Sequence, residues 1–259
     1  GQEDWSFYLS GAEDEEGNPN DPTADAALTT LQHLVTAGEF RDGRAPGHVV
    51  RVGKICRLVA ERVHLPPAQL RIIGPAASLH DIGMTGVSES IPRKPGPLTL
   101  QERAVMERHT YMGGRILRGA SNPLFRMAGL IAITHHERWD GTGYPMGLSG
   151  LDIPLVGRIC AVADVFDALT SDRPYRRAFS NHEALEILRR IRGKELDPVV
   201  VDAFLASMPD VEGIQAELPE EPRTWLDTQV LEFPRRAPDD LRPHEHPGHG
   251  RESAGEAHR

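Results

Sequence analysis

Histidines and aspartates fall in short clusters along this 259-residue sequence: His80-Asp81, His109, His135-His136 and Asp164. Imidazole nitrogen and carboxylate oxygen together suit a hard to borderline divalent ion such as Mn, Fe or Zn. Neighbouring residues on a regular helix point about 100° apart, so a doublet serves one site best where a helix ends and the backbone turns. Both doublets meet that condition, since Ile82-Gly83 follows the first and a glycine-rich stretch at 141–143 follows the second. Two ions close together would hold a phosphodiester and activate water for in-line attack. Taken singly, each residue also has a plainer reading. A lone His109 is more often a surface or capping residue, and Asp164 could cap a neighbouring helix end. Spacing alone leaves both readings open.

The elements that must position these residues read as helices. His48, Val52, Ile55 and Val59 recur at helical spacing between residues 48 and 60, and Pro66-Pro67 opens a helix on which Ile72, Ala76 and His80 line up. A loop rich in Gly and Pro, about 82–98, precedes Thr99-Leu100-Gln101-Glu102, whose form is that of a capping box. The helix it starts carries His109 and runs to Leu117. Asn122-Pro123 is an N-cap and first-turn pair for a helix to His135. Pro154 starts another, with Val156, Ile159, Val162, Ala163, Phe166 and Leu169, and Ser180 to Glu183 forms a second capping box. Period-two runs of β-branched residues are few and no internal repeat is present, so the expected fold is all-α, a helical bundle.

Hydrophobic residues make up 39% and charged residues 26%, ordinary for a globular domain. The formal net charge of −9 argues against binding a nucleic-acid polymer, which needs a basic face. A small anion held by a local arginine cluster remains compatible with it. Two cysteines far apart, Cys56 and Cys160, point to a reducing cytoplasm rather than a disulfide framework. No apolar run approaches the roughly 18 residues of a membrane span. Residues 1–22 are acidic and read as flexible, 23–210 as the domain, 211–234 as an extension of uncertain structure, and 235–259 as a disordered tail.

Longer motifs identify the family. His80-Asp81-Ile82-Gly83 resembles the HD-I-G motif of the HD hydrolase superfamily. The run from His135 to Pro145, HHERWDGTGYP, matches the signature that names the HD-GYP family, and the run from Ala163 to Arg176, ADVFDALTSDRPYR, matches its second signature. Lys94-Pro95-Gly96, Leu98-Thr99 and His109 fit a third segment, in family order and spacing over about residues 23–206. The resemblance implies an HD-domain helical bundle and a metal-dependent phosphodiesterase that hydrolyses cyclic di-GMP to pGpG, GMP or both. It implies metal ligands at His48, His80, Asp81, His109, His135, His136 and Asp164, with His80 and Asp81 at the catalytic centre and Asp81 bridging two ions, Fe or Mn. His48, on an apolar helix face, would be read as a core residue without it. It further implies dinucleotide contacts from Gly143, Tyr144, Pro145, Arg173 and Arg176, with guanidinium forks suited to phosphate. Asp167 joins the expected substrate-binding set and, one turn after Asp164, could instead orient a ligand or water from behind.

Two positions depart from the family pattern. The lysine that usually follows HDIG is Met84, and the glutamate that many members carry four residues before His48 is Arg44. Losing a charge-assisted phosphate contact costs about 1.5–3 kcal/mol, and a cation cannot ligate a third metal, so two ions are expected. Arg44 could lean toward the phosphate that Met84 does not hold. The alternatives are a phosphodiesterase for another cyclic nucleotide or dinucleotide, and a weakly active module that binds cyclic di-GMP or a protein. No receiver or sensor segment is recognisable, which leaves regulation to a partner protein, a diguanylate cyclase among the candidates, or to a missing upstream part.

Overall fold

The structure, a computed structural model, describes residues 22–42, 47–172 and 177–218. Arg44, Arg173, Arg176, the acidic start up to residue 21 and everything from 219 on, the expected tail included, lie outside the described residues. The described residues form helices α1 (Pro22–Asp42), α2 (His48–Arg62), α3 (Pro67–Ala77), α4 (Leu100–Leu117), α5 (Pro123–Thr134), α6 (Leu155–Thr170), α7 (Asn181–Ile191), α8 (Pro198–Leu205) and α9 (Met208–Glu217). A 3-10 turn at Ile82–Gly86 and another at Gly150–Asp152 complete the set. No strand occurs among the described residues, only an isolated bridge between Arg192 and Leu196. The fold is all-α.

Caps place the helix ends where the sequence puts them. Thr99 accepts from the Glu102 amide while Glu102 accepts from Thr99, and Ser180 with Glu183 does the same. The Asn122 side chain accepts from the Leu124 amide to start α5. α2 has no cap of its own at Gly47; the buried Glu39 carboxylate of α1 accepts from the Val49 amide at 3.0 Å. A carboxylate at that end also complements the positive pole of the helix dipole. Two boundaries differ from expectation. α3 carries Pro75 and ends at Ala77, so His80 stands in a turn rather than on the helix. At the other end, α9 runs past residue 210 into the expected extension, 211–234, as far as Glu217.

α2 packs against α3 and α6, and α5 packs against α3, α4 and α6. Val52, Ile55 and Val59 of α2 join Ile131 of α5 and Ile159, Val162 and Phe166 of α6 in one apolar core, all essentially inaccessible to solvent. Phe166 and Phe204 meet at 4.8 Å between ring centroids and fix α8 on α6. The 3-10 turn lies against α4 so closely that a Cβ on Gly83 would overlap the His109 carbonyl. Only glycine allows that approach, and it brings Asp81 onto the helix that carries His109.

Candidate metal centre

Seven donors converge where these elements meet. His48 is the first residue of α2, His80 and Asp81 stand in the turn after α3, and His109 lies in α4. His135 and His136 follow the end of α5, and Asp164 sits in α6. Among the described residues, those able to hold an ion form two groups, His48–His80–Asp164 and Asp81–His109–His135–His136, with ligand atoms within 4.8 Å of one another in each. These are the seven positions named from the sequence.

The distances suit shared ions. Donors about 2.1 Å from one ion stand about 3–3.5 Å apart. Asp164 Oδ1 lies 3.5 Å from His48 Nε2 and 3.8 Å from His80 Nε2. Asp81 faces both groups: Oδ2 lies 3.6 Å from His80 Nε2, while Oδ1 lies 3.3 Å from His109 Nε2 and 3.7 Å from His135 Nε2. His109 Nε2 and His135 Nε2 are 3.4 Å apart.

Four of the five rings are oriented from behind. His80 Nδ1 lies 2.8 Å from the Ala77 carbonyl and His109 Nδ1 2.8 Å from the Met106 carbonyl. His135 Nδ1 lies 3.1 and 3.0 Å from the carbonyls of Ile131 and Ala132. A carbonyl only accepts, so Nδ1 carries the proton and Nε2 presents its lone pair inward, the usual arrangement behind a metal-bound imidazole. His48 Nδ1 is held by a carboxylate, Asp167 Oδ2, at 2.8 Å.

The charge states fit the same chemistry. Burial pushes His80 down to about 4 against the opposing pull of Asp81 and Asp164, so its imidazole is neutral near pH 7. Burial, with His135 and His109 beside it, holds His136 well below the usual histidine range. Burial raises Asp164, but the imidazoles of His80, His48 and His136 outweigh it and keep the carboxyl well below its usual range. Neutral imidazole and ionised carboxylate are the ligating forms. His48 Nε2 and His80 Nε2 are buried without a hydrogen-bond partner, an arrangement that costs about 1–3 kcal/mol per group. A divalent ion would satisfy both, so the residues present fit a metal.

The signature loop covers one side. The Tyr144 ring lies 4.9 Å from that of His136 and 6.4 Å from that of His109, with Pro145 exposed after a cis peptide bond. Burial, then the negative charge of Asp81, Glu107 and Asp164, raises the Tyr144 hydroxyl far above its usual value, so it stays a proton donor. The loop is pinned from inside. Buried Glu137 accepts from the amides of Met146 at 2.7 Å and Leu148 at 2.9 Å. Gly143 is folded so tightly onto Glu137 and Arg138 that a Cβ there would overlap the Arg138 nitrogen.

One expectation changes. Asp167 is 1% exposed, and its oxygens are turned to His48 and to Arg51 Nε and Nη2, at 2.6 and 2.9 Å. It therefore leaves the substrate-binding set and stands behind the donor His48. Met84 is 3% exposed and part of the packed interior. Sequence reasoning missed Arg51 and Glu137. Arg51 had a visible signal, a cation three residues after His48 on a helix face that continues with Ile55.

Comparison with known proteins bears on the family and the fold. The HD domain family matches residues 34–200. The cyclic di-GMP phosphodiesterase response regulator RpfG of Xanthomonas campestris pv. campestris is 46% identical over 185 residues, 71% of this chain and 49% of that protein. A cyclic di-GMP phosphodiesterase of Thermotoga maritima is 42% identical over 70% of this chain and 49% of its own length. The 3'3'-cGAMP-specific phosphodiesterase 2 of Vibrio cholerae is 39% identical over 73% of this chain and 36% of its own. The chain thus spans about half or less of the curated relatives it matches. The crystal structure of a cyclic GMP-AMP specific phosphodiesterase of V. cholerae (V-cGAP3) superposes with a TM-score of 0.54 at 21% identity, over 75% of this chain and 54% of that one, a likeness of fold.

Proposed function

The chain belongs to the HD domain family, and from that premise we propose that it is a metal-dependent phosphodiesterase of the HD-GYP type that hydrolyses cyclic di-GMP to pGpG, GMP or both. The observation that carries this reading is Asp81, whose two oxygens face two separate groups of imidazole nitrogens. One ion, Fe or Mn, would be held by His48, His80 and Asp164, the other by His109, His135 and His136, with Asp81 shared between them. When bound, such ions supply Lewis-acid charge to a phosphoryl group and acidity to a water.

The chain's own residues do the rest. The carbonyls of Ala77, Met106, Ile131 and Ala132 keep the imidazole lone pairs turned inward. Gly143-Tyr144-Pro145 forms a wall beside His136, from which the protonated Tyr144 hydroxyl can donate to a substrate oxygen. Arg173 and Arg176 supply guanidinium contacts to the phosphates. The catalytic domain in this reading is the expected 23–210, extended through α9 to Glu217. No described helix is long and apolar enough to cross a membrane. The free, buried thiols of Cys56 and Cys160 support a reducing, cytoplasmic setting. A relative named as a response regulator favours control by a partner protein; a diguanylate cyclase is the partner proposed.

A second reading, another cyclic dinucleotide as substrate, is favoured by Met84 in place of a cation and by a 39% identical relative named for 3'3'-cGAMP. One experiment separates them. The chain is loaded anaerobically with Fe, or with Mn, and given cyclic di-GMP and 3'3'-cGAMP in parallel beside an Asp81→Ala control. Turnover of cyclic di-GMP that vanishes in the control is expected. Turnover of 3'3'-cGAMP alone would replace the substrate, and turnover of neither by protein holding two ions would defeat the reading.

A further inference from the structure

Arg51 lies behind His48, on the Nδ1 side of its ring. Its guanidinium grips both oxygens of Asp167, Nε to Oδ1 at 2.6 Å and Nη2 to Oδ2 at 2.9 Å. Asp167 Oδ2 in turn receives His48 Nδ1 at 2.8 Å. All three side chains are buried, at 3%, 1% and 3% exposure for Arg51, Asp167 and His48. Arg51 is fixed further by Ser171 Oγ at 3.3 Å and by the Leu218 carbonyl, just past the end of α9, at 3.4 Å.

His48 needs this support because of its place in the chain. His80, His109 and His135 are turned by carbonyls three or four residues earlier. His48 opens α2, so no preceding turn of its own helix exists to do the same. Its partner comes from α6, and a buried carboxylate there would bring an uncompensated charge and a free choice of rotamer. The Arg51 fork removes both, neutralising Asp167 and fixing its plane. A lysine would supply the charge without the fork.

We propose that Arg51 is a positioning residue for metal binding, acting through Asp167 on His48 and so on one of the two ions only, the one held by His48, His80 and Asp164. The inference rests on the two-ion reading above. Removing an outer partner of this kind typically weakens metal binding by about 10–100-fold.

The test is Mn(II) binding to the full chain, with free ion read by electron paramagnetic resonance, for wild type, His48→Ala, Arg51→Met, Arg51→Lys and Asp167→Asn. Wild type is expected to hold two tight ions. Arg51→Met and Asp167→Asn should weaken one of them by about 10–100-fold, the same ion that His48→Ala loses, and Arg51→Lys should do so less. Arg51→Met leaves a buried carboxylate alone and can fail to fold. The paired change Arg51→Met/Asp167→Asn removes both charges, so its metal-free thermal stability should recover while the weak ion stays weak. Two ions at wild-type affinity in the paired variant, or both ions weakened together, would overturn the inference. A wild type that holds fewer than two ions would overturn the two-ion reading instead.

Discussion

In the Asp81–His109–His135–His136 group, His109 and His135 take their orientation from carbonyls within their own helices, at Met106 and at Ile131 and Ala132. In the His48–His80–Asp164 group, His48 takes its orientation from Asp167, 119 residues further along the chain. The first arrangement exists as soon as α4 and α5 form. The second exists only once α2 and α6 have packed and two opposite charges have been buried together. A site can therefore combine rings that local structure orients with one, His48, that depends on tertiary assembly, with Asp81 touching both groups.

That contrast is broken most completely at the shared residue. Asp81→Ala should abolish binding of both ions and lower turnover by at least about 10³-fold, which corresponds to losing several kcal/mol of transition-state stabilisation. Metal analysis of the purified variant beside its rate checks this. If one ion persists at full affinity, Asp81 serves one group and the bridge is wrong. A smaller, sharper effect follows from single histidines. His109→Ala and His48→Ala should each remove one ion, and not the same one, with rate losses above the roughly 10–100-fold typical of an outer partner. Loss of the same ion in both variants would merge the two groups into one.

The same division explains how far the sequence could be read. The capping boxes at Thr99 and Ser180 and the Asn122 cap are local chemistry, and the structure places them as expected. The doublets at helix ends were legible for the same reason, since a chain that stops being helical after Thr134 can aim His135 and His136 into one group. His48 was different. Its helical period puts it on an apolar stripe, and only the family resemblance marks it as a candidate ligand, because the carboxylate that orients its ring, Asp167, lies far along the chain. Arg51 and Glu137 escaped altogether. The acceptors and donors that give them meaning, Asp167 and the amides of Met146 and Leu148, are side-chain and backbone partners that periodicity does not predict.

Glu137 extends the contrast to the wall of the site. It follows His136 directly, and its carboxylate holds the Met146 and Leu148 amides and with them the turn that carries Gly143, Tyr144 and Pro145. Glu137→Gln keeps the size but replaces a two-oxygen acceptor by one carbonyl and an amide that repels an N–H. At least one buried N–H then loses its partner, at a cost of about 1–3 kcal/mol. The expected result is a KM raised up to about a hundredfold with both ions still bound, and faster hydrogen exchange at the Met146 and Leu148 amides. Faster exchange with an unchanged KM would mean that the loop is a lid over the metals rather than a substrate contact. Loss of an ion would mean that Glu137 also holds His136 in place, and the wall and the metal group would then be one structural unit.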